Sequence, residues 1–409
     1  MNKKVLYISI DGMTDPLGQS QVLPYLAGLS KLGYQISLLS CDKPHLYAQH
    51  KEKIEAICKV NSIKWTSIPY KNSPPIISAL ANIQNLSKTS HQLHLKENFD
   101  FVHCRSYQPM FAGISLKKKY GTKLLFDIRG FWPDERVDGG LWNLKKLHWK
   151  LVYRYFKNKE KYFFKQADHV ISLTENAKNE ILDWKLTDTP IPIDVIPCCA
   201  DLKLFNYEDI TSEAKKELLE SLQLKETDYI ITYLGSLGTF YGIEDMLQLF
   251  KRLQLKKENA KFLIITASAP EIVWKVAEKL NIPKDSIRVT RSERNKVPLH
   301  LSLSQFSLVF YKDNFSRKAC SPTKIGELLG LGVPFICSPN IGDTSIIAKA
   351  TNSGVTITDY SEDAYDKAID EIIPLTRQDK STIREGAFKY FNLDDGISEY
   401  SHVYNKLLN

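Results

Sequence analysis

The feature that most constrains this chain is a pattern that runs twice: a short β-branched strand, a glycine-bearing turn, then a helix. VLYISI (5–10) leads into the turn DGMTDPLGQSQ and a helix over VLPYLAGLSKLG. QISLLS (35–40), FVHCRS (101–106), KLLFDI (123–128), HVISLT (169–174) and IDVIP (193–197) continue the series, with helical stretches such as SALANIQNLSKTSHQLHL between them. After residue 200 it restarts with YIITYLGS (229–236) and a helix over IEDMLQLFKRLQ. KFLIIT (261–266), SIRVT (286–290), FSLVFY (306–311), PFICS (334–338) and GVTIT (354–358) complete the second round. Short apolar strands alternating with helices predict βαβ units and parallel sheets. At 409 residues the chain exceeds one ordinary core. The prediction is therefore two doubly wound, Rossmann-like α/β domains, at 1–203 and 204–385. A last segment, 386–409, holds a helix that packs back on the first domain. Ligands of such sheets sit beyond the C-terminal strand ends.

Composition narrows the field. The chain is 43% apolar and 25% charged with no low-complexity tract, which excludes disordered and fibrous classes. No stretch approaches the roughly 20 apolar residues of a membrane-spanning helix. The basic start MNKKVLYISIDG turns acidic at Asp11 before a signal-peptide core can form, so a cytoplasmic protein is expected. Seven scattered cysteines show neither CxxC pairs nor metal spacing, as reduced thiols would. A net charge of +8 favours anionic ligands. The basic residues form no nucleic-acid reading motif, and no GxGxxG follows either first strand, which argues against dinucleotide oxidoreductases.

The most informative segment is RKACSPTKIGELLGLGVPFICS (317–338). Ser321-Pro322-Thr323 reads as a cap opening a helix, which Gly332-Val333-Pro334 stops before a strand. A helix start at a strand's C-terminal end is an anion site, because its N–H groups and dipole face the ligand. Arg317, Lys318 and Lys324 add positive charge there. Glu327, one turn after Thr323, offers a carboxylate to ribose hydroxyls. The alternative is a well-capped helix with solvated charges.

This segment resembles the donor signature of GT-B glycosyltransferases of family 4 (group 1), in which two glutamates are spaced E-x7-E. Glu327 matches the second, which binds the nucleotide ribose in that family. Ala319 stands at the first, and SPTKIGE resembles a variant branch. DGMTDPLGQSQVLPYL (11–26) is similar to the family's first glycine loop, with Gly18, Gln19 and Ser20 near the donor. VIPCCADLKLF (195–205) resembles the run that ends its N-domain. YLGSLGTFYGIEDML (233–247), with Gly235, Ser236 and Tyr241, resembles the loop that opens its C-domain. Many relatives carry Arg and Lys where Ser236 and Tyr241 stand, so Arg317, Lys318 or Lys324 is expected to supply that charge. The resemblance implies two domains facing a central cleft, with the helix start near Thr323 gripping a pyrophosphate opposite Gly18. It further implies a nucleotide-diphosphate sugar donor, no metal or other cofactor, and retention of anomeric configuration. The acceptor would be a saccharide or a lipid-linked one, in bacterial surface polysaccharide synthesis.

LLFDIRGFWPDERVDGG (124–140) crowds ionisable groups at a strand end. Asp127, Arg129 and Glu135 are the candidates for catalysis and acceptor binding, with His103 and Arg105 on the same rim. An internal ion-pair network is the alternative. Family members often carry a histidine where Phe126 stands. The segment 142–165 interleaves eight Lys/Arg with aromatics and repeats Leu144, Leu147, Leu151 and Tyr155 at helical spacing. Such a face either meets an anionic inner-membrane surface or docks on its own sheet. Two rival functions share the architecture: a nucleotide-sugar 2-epimerase and an inactive nucleotide-sugar-binding relative.

Overall fold

A computed structural model describes residues 3–238 and 240–408. The chain forms two compact units. One holds residues up to Val137, Leu141–Pro197 and Leu393 onwards; the other holds Asp138–Gly140 and Cys198–Asn392.

The first unit is a parallel sheet of β1 (Lys3–Ser9), β2 (Tyr34–Asp42), β3 (Lys64–Pro69), β4 (Phe101–Arg105), β5 (Lys123–Asp127), β6 (His169–Ser172) and β7 (Ile193–Val195). Their order is β3-β2-β1-β4-β5-β6-β7, so the winding reverses between β1 and β4. Residues Val5 to Ser9 of β1 are buried throughout, as a central strand covered on both faces requires. β3 carries no apolar run and only partly covered side chains, so periodicity alone does not reveal this edge strand. The helix Leu393–Leu408 packs on the helix Leu23–Lys31 within this unit. A Cβ at Gly28 would lie 2.3 Å from Ile397 Cδ1, so any larger residue there would force the Ile397 side chain to move.

The second unit has β8 (Tyr229–Leu234), β9 (Ala260–Ile265), β10 (Ile287–Thr290), β11 (Phe306–Val309), β12 (Phe335–Cys337) and β13 (Gly354–Thr356). The order β10-β9-β8-β11-β12-β13 reverses between β8 and β11. Separate apolar clusters cover its faces, around Leu328, Leu329 and Phe391 in one and Phe250, Phe262 and Ile369 in the other.

The units divide differently from the predicted 203/204 and 385/386 boundaries, for a physical reason. Ala200 N donates to Phe391 O at 2.8 Å, and the Arg384 guanidinium donates to the carbonyls of Leu202 at 2.7 Å and Phe205 at 2.6 Å. Those bonds tie residues 200–205 to the helix Lys380–Phe391, which packs against the helix Thr323–Gly330 in the second unit.

Candidate functional site

In the second unit the loops leaving β8 and β11, the two strands flanking the winding reversal, meet the start of the helix Thr323–Gly330. The expected cap is corrected by the structure. Pro322 occupies the cap position with no side-chain hydrogen bond, while Ser321 Oγ accepts from Cys198 N at 3.1 Å. The first N–H groups of this helix therefore have no side-chain cap, and a helix cannot satisfy them internally.

Lys324 is the centre of the cluster. Its stem is partly covered, but Nζ is sealed from solvent and makes no hydrogen bond among the described residues. Nζ lies 4.7 Å from the ring centre of Tyr233, 5.1 Å from Tyr241 and 5.3 Å from Tyr311. Burial brings its ammonium down from 10.5 to about 8, with Cys320 and Glu327 pulling the other way. Arg317, also buried, sits over Phe240 at 4.9 Å and Tyr311 at 5.8 Å, donates to Ser316 Oγ at 3.1 Å, and leaves Nε without an acceptor. Neither cation forms an ion pair among the described residues. Buried charges are otherwise paired or bound to a ligand, because desolvation is costly.

Gly235 makes this arrangement possible. Its φ of +142° is one that side chains rarely adopt, and a Cβ there would stand 2.9 Å from Lys324 Nζ. Tyr233 is fixed by donating to Ser236 O at 2.8 Å, and Tyr311 N donates to Ser338 Oγ at 2.6 Å. Ser236 and Lys318 are exposed, the latter with Nζ 5.2 Å over Phe315. Ala319 is fully buried. Thr239, in the β8 loop, lies outside the described residues.

Glu327 is buried, and its Oε1 accepts from Arg294 Nη1. Arg294, in the loop after β10, lies 4.6 Å over the Phe205 ring. Sequence reading missed Arg294, since nothing local marks one arginine in RSERNK as facing residue 327. Tyr233 and Tyr311 were equally invisible, each reading as an ordinary strand aromatic.

In the first unit Asp127 is a sealed hub. Its Oδ2 accepts from Tyr400 OH at 3.0 Å and His103 Nε2 at 3.4 Å, with Arg129 Nη1 at 3.6 Å, while Oδ1 has no hydrogen-bond partner among the described residues. Burial pushes this carboxyl up, but Arg129, His103 and Arg105 outweigh it and hold it below the ordinary value. His103 is lowered by burial despite Asp127. A neutral His103 then donates from Nε2, and Nδ1 accepts from Tyr404 OH at 2.7 Å. Arg129 has φ +55°, a strained value for a side-chain-bearing residue, next to Gly130 at +143°. Glu135 folds back here: a Cβ on Gly130 would be 2.4 Å from its Oε1. Arg105 instead pairs with Asp11. The structure brings Asp127 and Arg129 together, with Glu135 over the same turn; Tyr400 and Tyr404 arrive from the last helix, too distant in sequence to be foreseen.

Gly18 and Ser20 serve their own turn, and Gln19 does so while also accepting from Lys53 Nζ at 3.1 Å. A Cβ at Gly18 would stand 2.3 Å from Gly12 O, Gln19 Nε2 donates to Thr14 O at 3.2 Å, and Ser20 Oγ donates to Pro16 O at 2.9 Å. Asp42 anchors that turn by accepting from Thr14 N at 3.0 Å and Thr14 Oγ1 at 2.9 Å.

Two parallel, doubly wound sheets with alternating helices define a GT-B α/β protein. Residues 19–204 match the family described as Glycosyltransferase Family 4, and residues 214–387 the family described as Glycosyl transferases group 1. The chain belongs to the group 1 glycosyltransferases. A curated relative, an uncharacterized glycosyltransferase of Methanocaldococcus jannaschii, is 21% identical over 272 residues, and the match spans 64% of this chain and 64% of that relative's length. Among solved structures, a glycosyltransferase from Rickettsia africae superposes with a TM-score of 0.72 at 16% identity, covering 100% of this chain and 99% of that one. Anabaena HepE, solved with UDP and glucose, gives 0.69 at 12% identity, covering 98% and 99%.

Proposed function

We propose that this protein transfers a glycosyl group from a nucleoside-diphosphate sugar, with retention, to a saccharide or lipid-linked acceptor. The observation that carries this reading is the pair of buried cations, Arg317 and Lys324, without counter-anion among the described residues at the start of the helix Thr323–Gly330. Breaking the anomeric bond builds negative charge on the leaving diphosphate. Fixed cations and helix N–H groups aimed at that charge lower the barrier. In this reading Lys324, Arg317 and the N–H groups of Thr323 and Lys324 take the diphosphate, and Glu327 takes the ribose. Arg317 and Lys324 supply the charge that relatives draw from their β8-loop cations, so no metal is assigned. The leaving phosphate accepts the acceptor hydroxyl's proton, and no protein nucleophile is required. Arg129 and Glu135, on the first unit, are the acceptor-side groups. HepE's bound UDP supports a uridine nucleotide as the first donor to test.

The acceptor side of the proposal draws on the helix Leu147–Gln166. Leu147 is 72% exposed, Leu151 55% and Tyr155 47%, so the stripe does not dock on its own sheet; Phe156, Phe163 and Phe164 do that. Lys146, Lys150 and Arg154 flank the stripe, which suits the anionic inner face of a membrane carrying a lipid-linked acceptor in surface polysaccharide assembly. No helix among the described residues is long and apolar enough to cross a membrane.

The test is calorimetric binding of UDP and GDP, then product analysis with the matching sugar nucleotide. Glu327→Ala, if it still folds, should weaken nucleotide binding about 5- to 150-fold, as a lost charged hydrogen bond of about 1–3 kcal/mol implies. Full affinity in that variant removes the ribose assignment. Epimerised donor in the absence of acceptor would move the chain to the epimerase class.

A further inference from the structure

The carboxylate assigned to the ribose is closed off in this structure. The Glu327 side chain is only 4% exposed, and the Arg294 side chain that pairs with it is 41% exposed. Arg294 reaches it from the loop after β10, braced at 4.6 Å over the fully buried ring of Phe205. The loop itself, Arg291 to Lys296, forms one short 3-10 turn, and Arg294, Asn295 and Lys296 are exposed. Glu327, by contrast, sits in the second turn of a helix whose following residues Leu328, Leu329 and Gly330 are all buried. The mobile partner of the pair is therefore the arginine, on physical grounds: it has the longer and more exposed side chain and the looser backbone.

We propose that Arg294 gates the ribose subsite: a nucleoside diphosphate engages Glu327 only after its ribose hydroxyls displace the arginine from the carboxylate. This rests on the donor reading given above and adds the regulation of that site. Apo Glu327 needs a partner, because a carboxylate left buried and unpaired is costly. Arg294 supplies one in the absence of ligand, and the vicinal hydroxyls supply two donors in its presence. The exchange makes part of the ribose contribution disappear into breaking the ion pair, so nucleotide affinity is set by how firmly Arg294 holds. A diphosphate without ribose does not use Glu327 and does not sense the gate.

The experiment measures binding of UDP, GDP and inorganic pyrophosphate to the wild-type chain, Arg294→Met and Arg294→Lys by calorimetry, with the melting temperature of each. Arg294→Met should lower the apo melting temperature, since Glu327 loses its partner. It should bind the recognised nucleotide three- to tenfold more tightly, while pyrophosphate affinity stays within twofold. Arg294→Lys, which keeps the charge but not the forked geometry, should fall between. Nucleotide affinity that is unchanged or weaker in Arg294→Met, with pyrophosphate unchanged, overturns the gate and leaves the donor site standing. Equal weakening toward nucleotide and pyrophosphate also overturns it, making Arg294 a phosphate contact. If no form binds any of the three, the donor reading falls and takes the gate with it; if only Arg294→Met binds a nucleotide, the gate is supported in its strictest form.

Discussion

Replacing Lys324 with methionine separates the cost of holding a charge in the tyrosine cluster from its use. The drop of the ammonium from 10.5 to about 8 corresponds to a penalty of about 3 kcal/mol on the charged form at neutral pH. The three rings, at 4.7, 5.1 and 5.3 Å, attract the ammonium but leave that penalty standing. Lys324→Met, similar in length and apolar, is relieved of it and should melt several degrees above the wild type at pH 7. Binding should respond very differently. Losing a charge-assisted contact to a diphosphate costs about 1.5–3 kcal/mol, a ten- to 150-fold loss of UDP or GDP affinity. Stability against pH provides a second signature. Between pH 8 and 10.5 the folded wild type sheds a proton that the unfolded chain keeps, so stability gains with rising pH in that window; below pH 8 both states are protonated and the slope vanishes. The wild-type-minus-variant melting difference should show that slope. Nucleotide affinity should be level below pH 8 and fall above it, up to tenfold per pH unit. A Lys324→Met protein that binds nucleotide within threefold of wild type, or a difference curve flat from pH 7 to 10.5, refutes the reasoning.

Gly235→Ala should cost stability through its φ of +142° and displace Lys324 Nζ, 2.9 Å from the new Cβ, weakening nucleotide binding at least tenfold in the same titration. Arg384→Ala removes the donor to the Leu202 and Phe205 carbonyls; about 2–4 kcal/mol should be lost, seen as a melting drop of several degrees, and a shift under 1 °C would contradict it. Leu147→Asp with Leu151→Asp should abolish co-sedimentation with vesicles rich in phosphatidylglycerol while leaving the melting temperature within 2 °C. Unchanged sedimentation would remove the membrane assignment.

The sequence carries the alternation of strands and helices because buried parallel strands must be continuously apolar, and VLYISI or KFLIIT can be little else. It also carries the helix at SPTKIGE, since proline and the following Gly-Val-Pro leave few other conformations. The edge strand Lys64–Pro69 was not legible, because half-exposed positions impose no pattern. The supposed cap at Ser321 was not either: the Ser321 hydroxyl accepts from Cys198, a partner 123 positions away in the chain.

For the site, residue type and spacing nominated Lys324, Arg317 and Glu327, because helix starts and cations are local facts. Their states are not local. Whether Lys324 is solvated or sealed depends on Tyr233 of β8 and Tyr311 from the loop after β11; whether Glu327 is open depends on Arg294, 33 positions away. Asp127 could be read as a catalytic carboxylate until Tyr400 from the last helix closed over it. Local chain chemistry determined which groups exist and on which elements. Desolvation and pairing, which depend on everything folded around a group, decided which of them are charged, covered or waiting for a ligand.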